Sequence, residues 1–270
     1  MKVLVTGANG FVGSHVVREL LDKGHEVVAT SAHINSVNKQ DWYDQVRIKE
    51  WDLSKTAVNP YRLFYKPDLM IHAAWAGLPN YNSMHHIQQN LFYSLRFISG
   101  MLEGGLPALS VLGSGFEYGL QDGCLKANTP TKPCTAYGLA KDSLRRMIEF
   151  MAPPLWKWIR LFYLYGPGQS KNSIIGQLQD AIDTGKASFP MSGGSQLRDY
   201  LHVKTAAEKI VAISTNDKSG VFNCCSGRPI TVRQHVCDYL RDTKQHINLD
   251  LGRYPYPDYE PIAFWGALEN

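Results

Sequence analysis

"KVLVTGANGFVGSHVVRELLDKG", Lys2 to Gly24, is the stretch whose reading decides the fold. Its first five residues form a short apolar, β-prone run, and after the glycines apolar residues recur with helical period until Gly24 closes the pattern. A strand therefore feeds a helix through the turn "TGANGFVG". Glycine there allows a tight turn and close backbone approach, and the helix N-terminus offers free N–H groups and a positive dipole end to a pyrophosphate. The spacing is GxxGxxG rather than GxGxxG, and the alternative is a turn-rich surface loop. On the first reading Gly7, Asn9, Gly10, Phe11, Val12 and Gly13 are candidate cofactor contacts.

The same alternation continues along the chain. "EVVAT" (Glu26 to Thr30), "VRIKEW" (Val46 to Trp51), "PDLMIHAA" (Pro67 to Ala74), "ALSVLGS" (Ala108 to Ser114), "LWKWIRLF" (Leu155 to Phe162) and "GVFNCC" (Gly220 to Cys225) read as strands. Helical stretches such as Ser83 to Leu102 and Ala136 to Met151 separate them. This predicts an α/β fold of Rossmann type, a doubly wound parallel sheet with helices on both faces. Between Tyr163 and Tyr200 the alternation loosens around a helix near Ile174 to Thr184. We expect residues 1–162 with the returning segment 201–230 to bind the dinucleotide, and residues 163–200 and 231–270 to form a small C-terminal substrate-binding lobe over the carboxyl ends of the strands.

Composition narrows the function classes. A chain of 270 residues with 44% hydrophobic and 19% charged residues is an ordinary globular protein. The formal charge of +4 comes without a Lys/Arg run, so no nucleic-acid or membrane partner is expected, although a mildly basic surface suits an anionic small molecule. No run approaches the roughly 18 apolar residues of a membrane span, and the first apolar run is too short for a signal-peptide core, so a cytoplasmic location is expected. Cys124, Cys134, Cys224, Cys225 and Cys237 lack C-x-x-C spacing and paired histidines. They read as free thiols, and no metal site is expected.

The end of the second predicted strand bears on cofactor choice, because an Asp or Glu there binds a ribose 2′-hydroxyl and repels a 2′-phosphate. "VVATSAHINS" has no acid, and Thr30, Ser31 and His33 are candidate phosphate contacts, which favours NADP(H) with NAD(H) possible. Asp52, followed by Leu53, is a candidate acceptor for the adenine amino group or a cap for the next helix. Further on, "TAYGLAKDSLRR" sets Tyr137 and Lys141 four residues apart at a helix start. Such residues lie roughly 5–6 Å apart at Cβ, so a phenol and an ammonium can converge. A neighbouring cation favours phenolate, which makes the pair a candidate proton donor; on spacing alone it also reads as an exposed tyrosine beside a surface lysine.

Taken together, "TGANGFVG", Ser114 ahead of "FEYG", "YGLAK", "RLFYLYGPGQ" and "LRDYLHV" resemble the extended short-chain dehydrogenase/reductase family that acts on nucleotide sugars. The resemblance implies a catalytic set of Ser114, Tyr137 and Lys141, with Tyr137 as acid or base, Lys141 lowering its pKa and holding the ribose, and Ser114 bonding the same substrate oxygen. It also implies that His72 to Ala76, with Ala73, Ala74 and Trp75, lines the nicotinamide side, and that Asn90 supports the lysine. Gly115, Phe116, Tyr163, Asn172 and Met191 would contact substrate, and Arg198 would grip its pyrophosphate unless it is a solvated arginine. Tyr163 and Lys204 depart from a usual asparagine and a usual aspartate. His85, His86, Trp156 and Trp158 read as surface and core residues. A homodimer through the helices at Ser83 to Leu102 and Ala136 to Met151 is the implied assembly.

The residues also separate the family's reactions. Dehydratases carry an Asp-Glu pair after the catalytic Ser/Thr, whereas Gly115 and Phe116 stand here, so elimination of water lacks its acid and base. "SGGSQLRDYLHV", "YPYPDYEPIAFWG" and "GSGFEYG" further resemble bacterial nucleotide-sugar 4-ketoreductases. The expected function is therefore NAD(P)H-dependent reduction of a nucleotide-linked 4-keto-6-deoxyhexose, a dTDP-linked one first, giving dTDP-fucose or a relative for surface polysaccharide. A nucleotide-sugar 4-epimerase is the alternative, and a non-catalytic NADP(H)-binding regulator is the second.

Overall fold

A computed structural model describes residues 1–33, 37 and 40–268. Among them the strands are β1 (Lys2–Thr6), β2 (Glu26–Ser31), β3 (Arg47–Glu50), β4 (Leu69–His72), β5 (Ala108–Ser114), β6 (Gly123–Leu125), β7 (Leu155–Leu161), β8 (Tyr163–Tyr165), β9 (Ser188–Met191), β10 (Leu197–His202), β11 (Gly220–Cys224), β12 (Pro229–Thr231), β13 (Asn248–Leu251) and β14 (Ala263–Gly266). The helices are α1 (Phe11–Asp22), α2 (Pro60–Leu63), α3 (Phe92–Glu103), α4 (Ala136–Met151), α5 (Ile174–Asp183), α6 (Val203–Thr215) and α7 (Val232–Thr243). A π-helical segment, His86–Leu91, leads into α3, so the helix expected from Ser83 begins later and is widened and under-wound at its start.

Seven strands form one parallel sheet in the order β11-β7-β5-β4-β1-β2-β3. This is a Rossmann-type fold. Strand periodicity sorts its two faces: Val3 and Val5 of β1 point into one core with Val16, Val17 and Leu20 of α1 and Ala206, Ala207, Ile210 and Val211 of α6. Leu4 between them points into the other core, with Phe97, Ile98 and Met101 of α3 and Ala140, Leu144 and Ile148 of α4. The chain reverses direction of winding between β1 and β4, so their carboxyl ends open a crevice. Thr6 pairs in register with His72, which brings both chains out of the sheet at one level.

A second sheet, β12-β10-β14-β6 with β8 beside β10, lies next to a small core of Ile175, Leu178, Ala181, Phe189, Met191 and Val236. None of its strands was legible in the chain's periodicity. Among the described residues no helix is long and apolar enough to cross a membrane.

One buried ion pair joins β7 to the turn after β5. Glu117 is fully buried, and its carboxylate accepts from Arg160 Nε at 2.7 Å, Trp158 Nε1 at 2.9 Å and the Ser114 N–H at 2.7 Å. Burial raises its pKa against the pull of Arg160. Removing one partner of such a pair leaves an uncompensated charge. Arg160→Leu is expected to cost about 3–5 kcal/mol, read as a lower urea midpoint at unchanged slope, and adding Glu117→Gln to it should recover about half.

Candidate active site at the carboxyl ends of β1, β4 and β5

The glycine turn closes over the crevice. Gly7 has φ of +64°, and a Cβ there would stand 2.8 Å from Ala74 Cα, so main chain meets main chain. Gly10 is the N-cap of α1 and gives it no side-chain cap, which leaves the first-turn N–H groups of Phe11, Val12 and Gly13 for an external acceptor. This uncapped helix start behind a strand-end glycine fits a dinucleotide pyrophosphate.

The other candidate cofactor contacts divide. Thr30 and Ser31 end β2, but the Thr30 hydroxyl is buried without a hydrogen-bond partner among the described residues, while the Ser31 hydroxyl accepts from the His33 N–H at 3.3 Å. Asp52 accepts from the Ser54 N–H at 2.8 Å, which lowers its pKa. It does not cap the next helix; Asn59 does, accepting from the Arg62 N–H at 2.9 Å. Leu53 packs on the core and its carbonyl accepts from Arg96 Nη2 at 2.9 Å.

The segment after β4 is tied to β1. Thr6 Oγ1 lies 2.9 Å from His72 Nδ1 and accepts from the Ala74 N–H at 3.2 Å, and the Ala73 N–H donates to Thr6 O at 3.3 Å. His72, wholly buried and bonded through Nε2 to Ser94 Oγ at 3.1 Å, has its pKa lowered to about 3 by desolvation and then by Lys141. Trp75 follows. Its ring lies 6.1 Å from that of Tyr137 and 3.9 Å below the Lys141 ammonium.

Tyr137 is placed by the start of α4. Thr135 caps the helix by accepting from the Gly138 N–H at 3.0 Å, and a Cβ on Gly138 would stand 2.5 Å from Phe116 O. The helix start is thus pressed against the turn that follows Ser114. The buried phenol feels the Ser114 hydroxyl, which works to lower its pKa, and is ringed by Trp75, Tyr81, His86 and Phe116, with centroids 5.3–6.1 Å away. Lys141 Nζ donates to Leu112 O at 2.8 Å.

Here the electrostatics correct an expectation. Burial raises the Tyr137 pKa, the Ser114 hydroxyl pulling it back only in part, and Lys141 does not figure among the causes. Burial also lowers the Lys141 pKa to about 7, Glu117 opposing. Desolvation disfavours both charged forms, phenolate and ammonium, and it outweighs the pairing that spacing alone suggested.

Among the candidate substrate contacts, Phe116 lies beside the phenol and stacks on Tyr81 at 4.3 Å, whereas the open side of Gly115 faces Phe264 and Phe162. Tyr163 is next to Arg198, whose guanidinium lies 5.5 Å from its ring centre. Arg198 itself is neither solvated nor open: it is 2% exposed, donates to Glu260 at 2.8 Å and to Leu197 O at 2.9 Å, and holds an internal ion pair rather than an exposed anion grip. Met191 is buried in the small core, and Asn172 is exposed at the start of α5 with its carbonyl accepting from Gln177 Nε2 at 2.8 Å. Asn90 donates to Ala76 O at 2.8 Å. Lys204 is exposed. Sequence reasoning missed Tyr81, Tyr259, Glu117 and Glu260, all brought in by tertiary packing, and left His86 among the surface and core residues without a role at the site. Among the described residues no group of His, Cys, Asp or Glu is arranged to hold a metal ion.

Fold and site together define a dinucleotide-binding protein with a Ser, Tyr and Lys set at the mouth of the sheet. The chain belongs to the NAD dependent epimerase/dehydratase family, whose model matches residues 3–225. It is 32% identical to a dTDP-6-deoxy-L-talose 4-dehydrogenase (NAD(+)) of Aggregatibacter actinomycetemcomitans, over 99% of this chain and 100% of that one. It is 27% identical to a UDP-glucose 4-epimerase of Neisseria meningitidis, over 87% of this chain and 80% of that one. The fold is that of a UDP-glucose-4-epimerase from Stenotrophomonas maltophila with bound NAD, at a TM-score of 0.86, 19% identity, and coverage of 98% and 89%.

Gly7→Ala forces a side chain into a left-handed turn and into Ala74. It should cost more than about 1 kcal/mol of stability and weaken NADH binding, followed by nicotinamide fluorescence, by at least about tenfold.

Proposed function

We propose that the protein reduces the 4-keto group of a dTDP-linked 4-keto-6-deoxyhexose with NAD(P)H, giving dTDP-fucose or a relative for surface polysaccharide. The observation that carries this reading is the convergence of Ser114, Tyr137 and Lys141 with the Ala74–Trp75 segment, which itself packs on the glycine turn. The likeness to a dTDP-6-deoxy-L-talose 4-dehydrogenase supports it, since oxidation of a 4-hydroxyl is the reverse of 4-ketoreduction. A bound nicotinamide would supply the hydride, with its dinucleotide held at Gly7, Gly10 and the first turn of α1. Tyr137 then gives its proton to the sugar O4, and Ser114 donates a hydrogen bond to the same oxygen. Because burial keeps the phenol protonated across neutral pH, it is poised as an acid, the role reduction requires. Lys141 steadies the developing phenolate as the proton leaves.

A 4-epimerase is the second reading, favoured by the likeness to UDP-glucose 4-epimerases. It would retain its cofactor through dialysis, whereas a reductase would consume NAD(P)H in step with keto-sugar. The homodimer is part of the proposal, supported by Phe92 on α3 and Leu139, Met147 and Phe150 on α4, apolar side chains exposed to solvent.

Assays of dTDP-, CDP- and GDP-linked 4-keto-6-deoxy sugars with NADH and NADPH, with product NMR, test the reading; no turnover with any of them would refute it. Tyr137→Phe should lower reduction by about 10²–10⁴-fold with little change in NADH affinity. Oxidation of the product sugar, which needs phenolate, should accelerate as pH rises, while reduction should fall only at strongly alkaline pH. Ser31→Asp adds a carboxylate at the end of β2 and should lower kcat/KM for NADPH at least about tenfold while sparing NADH.

A further inference from the structure

We propose that His86 and Trp75 act as a positioning pair for Lys141, the imidazole fixing the plane of the indole and the indole face holding the ammonium beside Tyr137. This rests on the reading of Lys141 as the partner of Tyr137. Trp75 Nε1 donates to His86 Nδ1 at 3.1 Å, and His86 Nε2 lies 2.8 Å from Asn80 O. An indole nitrogen can only donate and a carbonyl can only accept. His86 must therefore be neutral, with its proton on Nε2, and Asn90 Nδ2 at 3.3 Å from Nδ1 adds a second donor that enforces the same tautomer. His86 is wholly buried and starts the π-helical segment, so its ring has little freedom to turn.

The indole so fixed stacks near the His86 ring and presents its face to Lys141 Nζ, 3.9 Å from the ring centre. That contact matters because the ammonium has three donors, and among the described residues its one hydrogen bond goes to Leu112 O. Around Lys141 stand Glu117 from the turn after β5, His72 from β4, His86 from the π segment and Tyr137 and Asp142 from its own helix; Asp142 is already paired with Arg145 and Arg146. None of these carboxylates makes a direct ion pair with it. A tryptophan face is the best of the aromatic partners for a desolvated cation.

The test is the titration of Lys141 in full-length protein carrying ¹³C-labelled lysine, its resonance assigned with Lys141→Met. Trp75→Leu should lower the Lys141 midpoint by about one pH unit, and Trp75→Phe, which keeps a weaker face, by less. His86→Leu should fall between wild type and Trp75→Leu. His86→Gln, which can still accept from the indole, should return toward wild type, and turnover of the keto-sugar should follow the same order. An unchanged midpoint in both Trp75 variants overturns the proposal, as does a drop in melting temperature without a shifted midpoint. Should Trp75→Leu not fold, Trp75→Phe and the two His86 variants decide by the same criterion. The midpoint is read without substrate, so the absence of any turnover would count against the reductase reading and leave this inference to the titration.

Discussion

Two points where main chain touches main chain, with no room for a Cβ, govern the placement of everything chemical in this molecule. At the first, Gly7 lies against Ala74, and at the second Gly138 lies against Phe116. The first pins the start of α1 to the end of β4; the second pins the start of α4 to the turn after β5. Helix starts are where side chains and free N–H groups can be aimed at a ligand, because the preceding residues no longer follow the sheet. With both starts pinned, the first turn of α1 and the Tyr137 phenol lie at the same end of the sheet, and Trp75, one residue beyond Ala74, sets its ring 6.1 Å from that of the phenol. The Thr6 hydroxyl, shared between His72 and the Ala74 N–H, locks the register of that arrangement.

Such close packing expels water, and the ionisable groups register its absence. Tyr137, Lys141, Glu117 and His72 each have a pKa moved toward the neutral form by burial. The protein does not answer this with a ring of salt bridges. It pairs Glu117 with Arg160 beside Ser114 and leaves Lys141 to a carbonyl and an aromatic face. Glu117 thereby serves two ends: it orders the Ser114 backbone by direct hydrogen bond, and its charge raises the pKa of both Tyr137 and Lys141. A phenol kept protonated and a lysine balanced near neutrality are what the proposed proton transfer would need.

What the chain disclosed in advance follows from the range of the forces involved. The strands of the main sheet and the helices α1 and α4 were legible because each is written in local periodicity and closed by local signals: Gly24 after α1, Thr135 before α4. The Ser, Tyr and Lys set was legible because two of its members are one helical turn apart and the third ends a strand. Burial was not legible, since it depends on what arrives from elsewhere in the chain. Hence the reversed direction of the Tyr137 pKa, the enclosure of Arg198 by Glu260 some sixty residues away, and the burial of Met191 all escaped a local reading. His86 looked like any histidine on an apolar helix face until Trp75 and Asn80 were found on either side of it. Of the second sheet's strands, β6, β8, β12 and β14 escaped for a different reason: three- and four-residue segments carry too little pattern to stand out.

The rings around the phenol bear on the sugar rather than on the proton. Phe116 stacks on Tyr81 at 4.3 Å and faces Tyr259 at 6.4 Å, so the surroundings of Tyr137 are aromatic where an elimination chemistry would need carboxylates. If the sugar O4 meets the phenol, its neighbouring carbon carries the C6 substituent within reach of these rings. A methyl there gains from apolar contact, whereas a hydroxymethyl would lose hydration without a partner. An apolar wall discriminates against an added hydroxyl by no more than about a hundredfold, so the preference for a 6-deoxy sugar would be real but incomplete. Under the proposed reading, a keto-sugar that turns over within its site would need space on both faces, whereas rings packed this closely beside Tyr137 would suit a sugar held in one orientation.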